Sequence, residues 1–272
     1  MAKAMRMLEE NLNLVDAVLL VLDARAPLSS YNPRLEKLAG AKPVLYVFNK
    51  RDLADTKSDA IAKAFEARGK NVIALSALKG QARPLLNAMA QVTQEKAQLL
   101  KNKNSSRPLR FMVAGIPNTG KSSLINLLSG GKKAVTGDKA GVTRSKQWVR
   151  CGDVELLDSP GLMPPALENQ TFAKRLAALG SVNDDILEFD EIALFLLEEL
   201  SASYPDRLKE RYSVEGGTPL EMLEALCKNR GFLLKGNDFD YERGERALID
   251  DLRKGRLGML TLDSEGEIES LF

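Results

Sequence analysis

The sequence predicts an α/β domain with a mainly parallel sheet and helices on both faces, followed by an all-α domain. Three observations predict it. Short apolar runs alternate with helically spaced segments over the first half of the chain, as in βα units whose strands are covered on both faces. One of these runs leads into Gly115-Ile116-Pro117-Asn118-Thr119-Gly120-Lys121-Ser122-Ser123. That stretch fits Gly-x-x-x-x-Gly-Lys-Ser, a loop whose backbone N–H groups form an anion nest at a helix N-terminus. From about residue 165, strand signals give way to helix punctuation, so the expected division is 1–164 and 165–272.

Taken in order, Met5, Leu8, Leu12 and Val15 recur at helical spacing and predict an amphipathic N-terminal helix. Residues 16–23 read as a strand buried on both faces, and 33–39 as a helix. Residues 43–48 form a second strand ending at Asn49-Lys50-Arg51-Asp52. A helix over 57–68 is closed by Gly69, and a third strand, 71–75, ends at Ser76-Ala77. One helix is expected over 84–100, and the polar segment 101–108 leads into the strand before the phosphate loop. Residues 145–151 and 153–158 read as a hairpin turning at Gly152, its second arm ending in Asp158-Ser159-Pro160-Gly161. Beyond, Gly180 ends one helix and a strongly apolar helix runs from Asn183 to Leu200. Thr218-Pro219-Leu220-Glu221 is a capping box with Pro at the first helical position, its helix closed by Gly231. A last helix spans about 240–254.

Composition narrows the function. With 272 residues, 44% hydrophobic and 28% charged, the chain suits one or two soluble domains. No apolar run reaches membrane-span length and no signal-peptide core opens the sequence. Cys151 and Cys227 offer no disulfide framework, so a reducing, cytoplasmic compartment is expected. The absence of histidine removes the commonest general base and zinc ligand. The net charge of +2 conceals a split: residues 1–164 hold 26 Lys and Arg against 14 Asp and Glu, residues 165–272 hold 13 against 23. A basic front half points to a polyanionic partner larger than one nucleotide, or to two domains that attract each other.

The motifs add chemistry. Gly115 and Gly120 let the backbone approach phosphates, Lys121 would reach the β- and γ-phosphates, and the Ser122 hydroxyl would hold magnesium. A carboxylate at Asp52 can accept from both N1–H and the 2-amino group of guanine, a pair adenine lacks, which makes an ATPase the least favoured reading. Asn49 can meet the acceptor edge of the base and the Lys50 stem can cover the ring. Alone, a charged turn after a strand explains these residues equally well; beside a phosphate loop and Ser76-Ala77, coincidence is a poor account. Asp158 would hold magnesium through water, Gly161 N–H would sense the γ-phosphate, and Thr143 is the best candidate for a switch threonine closing over the ion. The candidate nucleotide ligands are therefore Asn49, Lys50, Asp52, Ser76, Ala77, Asn118, Thr119, Gly120, Lys121, Ser122, Ser123 and Gly161, with Ser122, Thr143 and Asp158 at magnesium and Lys121, Thr143 and Gly161 nearest the chemistry.

Ras-like GTPases carry these motifs in the order phosphate loop, switch threonine, Asp-x-x-Gly, Asn-Lys-x-Asp, Ser-Ala. Here the last two come first, as if one circle had been cut elsewhere. With Met1-Ala2-Lys3-Ala4, Asp23-Ala24-Arg25-x-Pro27, Asp158-Ser159-Pro160-Gly161 and Gly255-Arg256-Leu257-Gly258, the chain resembles the circularly permuted GTPases of the YlqF/RbgA (ribosome biogenesis GTPase A) family over essentially its whole length. The resemblance implies a GTPase acting on GTP/GDP in late assembly of the large ribosomal subunit, with rRNA contacts from both domains. Because Asp158-x-x-Gly161 runs directly into the helical domain, a switch in which GTP selects the ribosome-binding arrangement is expected, in a monomer without DNA or membrane partners. In the acidic tail, Arg243, Arg246, Arg253, Lys254 and Arg256 would then form the local rRNA patch. In similar GTPases an Asn at the position of Asn118 ligates potassium; a residue tolerating a tight turn explains it too.

Two departures bear on rate. Leu162 stands where Ras-like enzymes place a water-orienting Gln. A Trp-Phe/Tyr-Pro-Gly-His segment precedes Met-Ala-Lys-Ala in the resembled family, and its His is the favoured catalytic candidate. This sequence opens at Met1-Ala2-Lys3-Ala4; a start further upstream and a site working without that histidine both fit. Slow hydrolysis is expected. A non-catalytic GTP- or GDP-binding scaffold, and a permuted GTPase serving another RNA or an organellar ribosome, are the competing readings.

Overall fold

A computed structural model describes residues 9–130, 147–159, 161, 169–184 and 188–271. It forms two compact units, Met1–Ala166 together with Asp263–Phe272, and Leu167–Leu262. Against the expected 165–272 domain, the last ten residues belong with the first unit.

The first unit is built on a six-stranded sheet in the order β3-β2-β1-β4-β6-β5. Its strands are β1 Ala17–Asp23, β2 Val44–Asn49, β3 Asn71–Ala74, β4 Leu109–Ala114, β5 Gln147–Cys151 and β6 Val154–Asp158. All pairings are parallel except the β5–β6 hairpin, which turns at Gly152. All seven residues of β1 are buried, which is why its sequence is a continuous apolar run rather than an alternating one. The strand that delivers the phosphate loop, β4, is fourth in the chain yet lies centrally, between β1 and β6. Reading from β4 through β6 and then β1 to β3 restores the uncut order of the motifs.

Helices cover both faces. On one, α3 (Ala82–Val92) and α5 (Lys121–Leu128) bring Leu85, Met89, Leu124 and Ile125 against Leu19, Val21, Val47 and Phe111. On the other, α2 (Thr56–Ala67) seats Phe65 among Tyr31, Tyr46 and Phe48, with ring centroids 5.5–5.9 Å apart and near-perpendicular planes, the favoured edge-to-face arrangement. A short α1 (Pro33–Ala39) is capped by Asn32. The single helix expected over 84–100 is two, α3 and α4 (Gln94–Asn102). They break at Thr93, whose hydroxyl donates to Met89 O at 2.8 Å, a back-bond that bends helices. Of the expected N-terminal helix, residues 9–12 are helical and 1–8 lie outside the described residues.

The second unit contains α6 (Gln170–Ala178), α7 (Phe189–Ser203), α8 (Pro205–Tyr212), α9 (Pro219–Arg230) and α10 (Tyr241–Arg253). Helix α7 is the hub: Ile192, Ala193, Leu196, Leu197 and Leu200 are buried, and all four other helices pack on it. It begins six residues later than the expected start at Asn183. Helix α8 is not among the expected elements; its signal is Pro205 at the first helical position with Lys209 and Arg211 in the last turn. The capping box is formed, Glu221 N donating to Thr218 Oγ1 at 3.3 Å and Thr218 N to Glu221 Oε2 at 2.7 Å. Among the described residues, no helix is long and apolar enough to cross a membrane.

Candidate nucleotide site

The carboxyl ends of five strands line up along one sheet edge. Register pairs Asp23 with Asn49, Phe48 with Ala74, Leu20 with Ala114 and Val113 with Asp158. Parallel βα units place their functional loops at this edge, so motifs scattered from Asn49 to Gly161 become neighbours.

The phosphate loop is shaped by backbone no ordinary side chain favours. Gly115 has φ +154° and Gly120 +92°. A Cβ on Gly115 would lie 2.4 Å from Val21 O, and one on Gly120 2.2 Å from Asn49 Nδ2. Gly120→Ala is therefore expected to cost about 2 kcal/mol in urea unfolding, combining left-handed strain with a disturbed hydrogen bond, and to weaken nucleotide binding in a fluorescent-GDP titration. Asn118 is also left-handed, φ +60°, so the turn by itself accounts for Asn at this position.

Lys121 is buried and donates to Ile116 O at 2.7 Å, which curls the side chain back over its own loop. Burial pushes its ammonium down to about 8, opposed by Asp158 and reinforced by Lys50. Burial raises the Asp158 carboxyl above its ordinary value, with Lys121 and the Ser159 N–H only partly compensating. Ser122 and Ser123 are half-buried at the start of α5. Gly161 lies so close to the loop that a Cβ there would meet Pro117 N at 2.8 Å. Thr143 and Leu162 lie outside the described residues.

Asn49 does more than its expected contact with the base. It is 2% exposed; its Nδ2 donates to Thr119 O at 2.8 Å and its Oδ1 accepts from Ala77 N at 2.9 Å. One side chain thus ties the base-side loop, the Ser-Ala loop and the phosphate loop together, leaving one amide hydrogen for a ligand. Asp52 is paired with Lys79 at 3.0 Å. Although burial pushes its carboxyl up, the Ser76 hydroxyl and Lys79 outweigh that and hold it below the usual range.

The sequence alone gives Asp23 and Arg25 no role beyond their place in a motif. Both are buried. Asp23 Oδ2 accepts from Arg25 Nη2 and Lys50 Nζ, each at 2.8 Å, and Oδ1 from Arg25 Nε at 3.0 Å. Despite burial, the two cations hold Asp23 well below the carboxylate range. Lys50, itself left-handed at φ +61°, also donates to Asn118 O at 2.6 Å.

The expected basic patch in the helical unit is largely committed. Arg253 donates to Ala177 O and Ala178 O, capping the end of α6, and forms a two-pronged pair with Asp184. Lys254 and Arg256 pair with Asp250, Arg256 also with Asp251, and Arg246 with Glu242. Arg243 stacks over Phe232 at 4.5 Å. Two of these pairs, Arg246 with Glu242 and Lys254 with Asp250, are one-turn neighbours that a simple count of basic residues does not show.

Known proteins are similar to this chain in sequence and fold. A family model described as 50S ribosome-binding GTPase matches residues 110–216. The ribosome biogenesis GTPase A of Bacillus cereus is 39% identical over 98% of this chain and 92% of its own length. That of Bacillus licheniformis is 38% identical over 97% and 95%. A GDP-bound structure of TM YlqF superposes with a TM-score of 0.71 at 25% identity, covering 95% of this chain and 98% of that one.

Proposed function

The chain belongs to the ribosome biogenesis GTPase A family, and from that premise we propose that it is a nucleotide-dependent switch on the large ribosomal subunit or its precursor. It is a GTPase acting in ribosome biogenesis. The observation that carries the site assignment is the double engagement of Asn49, which holds the base-reading and phosphate-binding loops in one constellation.

In this reading Asp52 accepts from N1–H and the 2-amino group of guanine, and the Lys50 stem covers the ring. Ser76 and Ala77 support the base, and backbone N–H groups from Asn118 to Ser123 surround the phosphates. Lys121 leaves Ile116 O for the β- and γ-phosphate oxygens, whose charge restores its full protonation and which it stabilises as charge moves off the γ-phosphoryl group. Gly161 N–H meets the γ-phosphate and is lost to it on hydrolysis. Ser122 and Asp158 fit magnesium: both offer hard oxygen donors, and Asp158 is a half-buried acid whose charge the protein only partly balances. Held there, magnesium would supply positive charge against the charge that develops on the phosphates. Thr143 is proposed as its switch ligand, and potassium beside Asn118 as a supplementary charge; equal rates in potassium and sodium buffers would leave Asn118 a turn residue only.

Without a partner, turnover is expected in the unassisted regime of about 10⁻⁴ s⁻¹, measured as single-turnover phosphate release; a rate near 1 s⁻¹, on the order of GAP-assisted sites, would overturn this. Lys121→Ala should lower the rate by about 10²–10³-fold. The switch itself is tested by co-sedimentation with purified large subunits: binding with a GTP analogue should exceed binding with GDP, and equal binding refutes the switch. Contact with rRNA, a monomeric state and a cytoplasmic location complete the proposal; ribonuclease sensitivity of the co-sedimented complex tests the first.

A further inference from the structure

We propose that Asp263, outside every nucleotide motif, is a positioning residue for the base side of the nucleotide site. This rests on the assignment of that site to guanine nucleotides. Asp263 is 1% exposed. Its Oδ2 accepts from Leu28 N at 2.7 Å and Ser29 N at 3.0 Å, and its Oδ1 from Ser29 Oγ at 2.5 Å. Three donors on one buried carboxylate make strong, charge-assisted bonds, and they fix the loop that follows β1. The next residue of that loop, Ser30, donates its hydroxyl to Ala26 O at 2.7 Å and receives Asp23 N at 3.0 Å. Asp23 in turn holds Lys50 Nζ, which spans to Asn118 O. Hydrogen bonds joined by short backbone links, buried as far as Asp23, therefore lead from residue 263 to the side chain assigned to cover the guanine ring, and on to the phosphate loop.

The segment around Asp263 is anchored independently. Ile268, on a 3₁₀ turn over Glu265–Ser270, is buried, Arg68 pairs with Glu269, and the turn packs on α2. Removing the Asp263 carboxylate should thus loosen loop 24–32 without releasing the whole C-terminal segment. The bonds suit a conservative rescue: Asn at 263 can accept the two backbone N–H groups on its oxygen and donate to Ser29 Oγ.

A contiguous network alone does not demonstrate coupling, so a double-mutant cycle is the deciding measurement. Fluorescent-GDP affinity is measured for the full chain and for Asp263→Ala, Asp263→Asn, Lys50→Ala and the Asp263→Ala/Lys50→Ala pair, at a temperature where circular dichroism shows each folded. Asp263→Ala should weaken GDP binding about tenfold, Asp263→Asn should restore most of it, and Asp263→Ala should add less than about twofold once Lys50 is gone. Unchanged affinity in Asp263→Ala, or additive losses, would overturn the proposal. Should Asp263→Ala not fold, Ser29→Ala, which deletes one hydroxyl, takes its place in the same cycle: a loss that vanishes without Lys50 supports the proposal, and no loss or an additive one overturns it. Failure of the unaltered chain to bind GDP would instead refute the site assignment on which the proposal rests.

Discussion

Replacing Asp52 by Asn is expected to exchange guanine for xanthine, changing the ratio of GTP to xanthosine triphosphate affinities by about 10⁴. The carboxylate presents two acceptors to N1–H and the 2-amino group. Asn keeps one acceptor and turns a donor toward that amino group, so two donors face each other and neither is satisfied. Xanthine carries a carbonyl at that carbon, and the new amide N–H meets it. The carboxylate is held below its usual range, so guanine preference should stay constant from pH 8 down to about pH 5. Competition titrations with both nucleotides read the ratio directly. Equal loss for both would mean that Asp52 serves its Lys79 pair rather than the base.

The second large effect concerns stability. Asp23→Ala takes a two-pronged carboxylate from the buried Arg25 guanidinium and a partner from Lys50, and removing one member of such a buried charged set costs about 3–5 kcal/mol. Urea unfolding of the full chain should show the loss in the transition that includes the sheet. The sign of the pH dependence follows from the depressed carboxyl. Its stabilisation is complete above the unfolded value near 3.9 and disappears as pH falls through the lower, folded value, so the native protein should show no loss from this group between pH 8 and 5. A cost below about 1 kcal/mol would place Asp23 with surface pairs, which contribute that little.

What the sequence made legible was local. The phosphate loop, its strand and its helix, the capping box at Thr218 and the β5–β6 hairpin each announce themselves within twelve residues, and the order of the motifs identified the cut in the fold. What stayed hidden was distant. The hold of Asp23 on Lys50 spans 27 positions and exists only because β1 and β2 run parallel in register. The Asp263 bonds span 235 and 234 positions, and no periodicity predicts them. Asn49 was expected to face the base alone; its grip on Thr119 and Ala77 depends on two further strands arriving beside it. The basic cluster at α10 mixes the two cases. Arg246 and Lys254 meet Glu242 and Asp250 one turn away, and a count of charges without helical spacing overlooks them, whereas Arg253 reaches 69 positions back to Asp184.

The return of the chain at Asp263 also changes the thermodynamic standing of the helical unit. Residues 167–262 leave the sheet unit and come back to it, so they form an insert rather than a tail. While the sheet unit stays folded, an unfolded insert is a ring of about a hundred residues, and closing a ring of that size by a cross-link removes about 4–5 kcal/mol of chain entropy from the unfolded state. The last ten residues thus act as a non-covalent clasp. Trimming them would free one end of the insert and forfeit part of that stabilisation, even though none of the trimmed residues belongs to the helical unit.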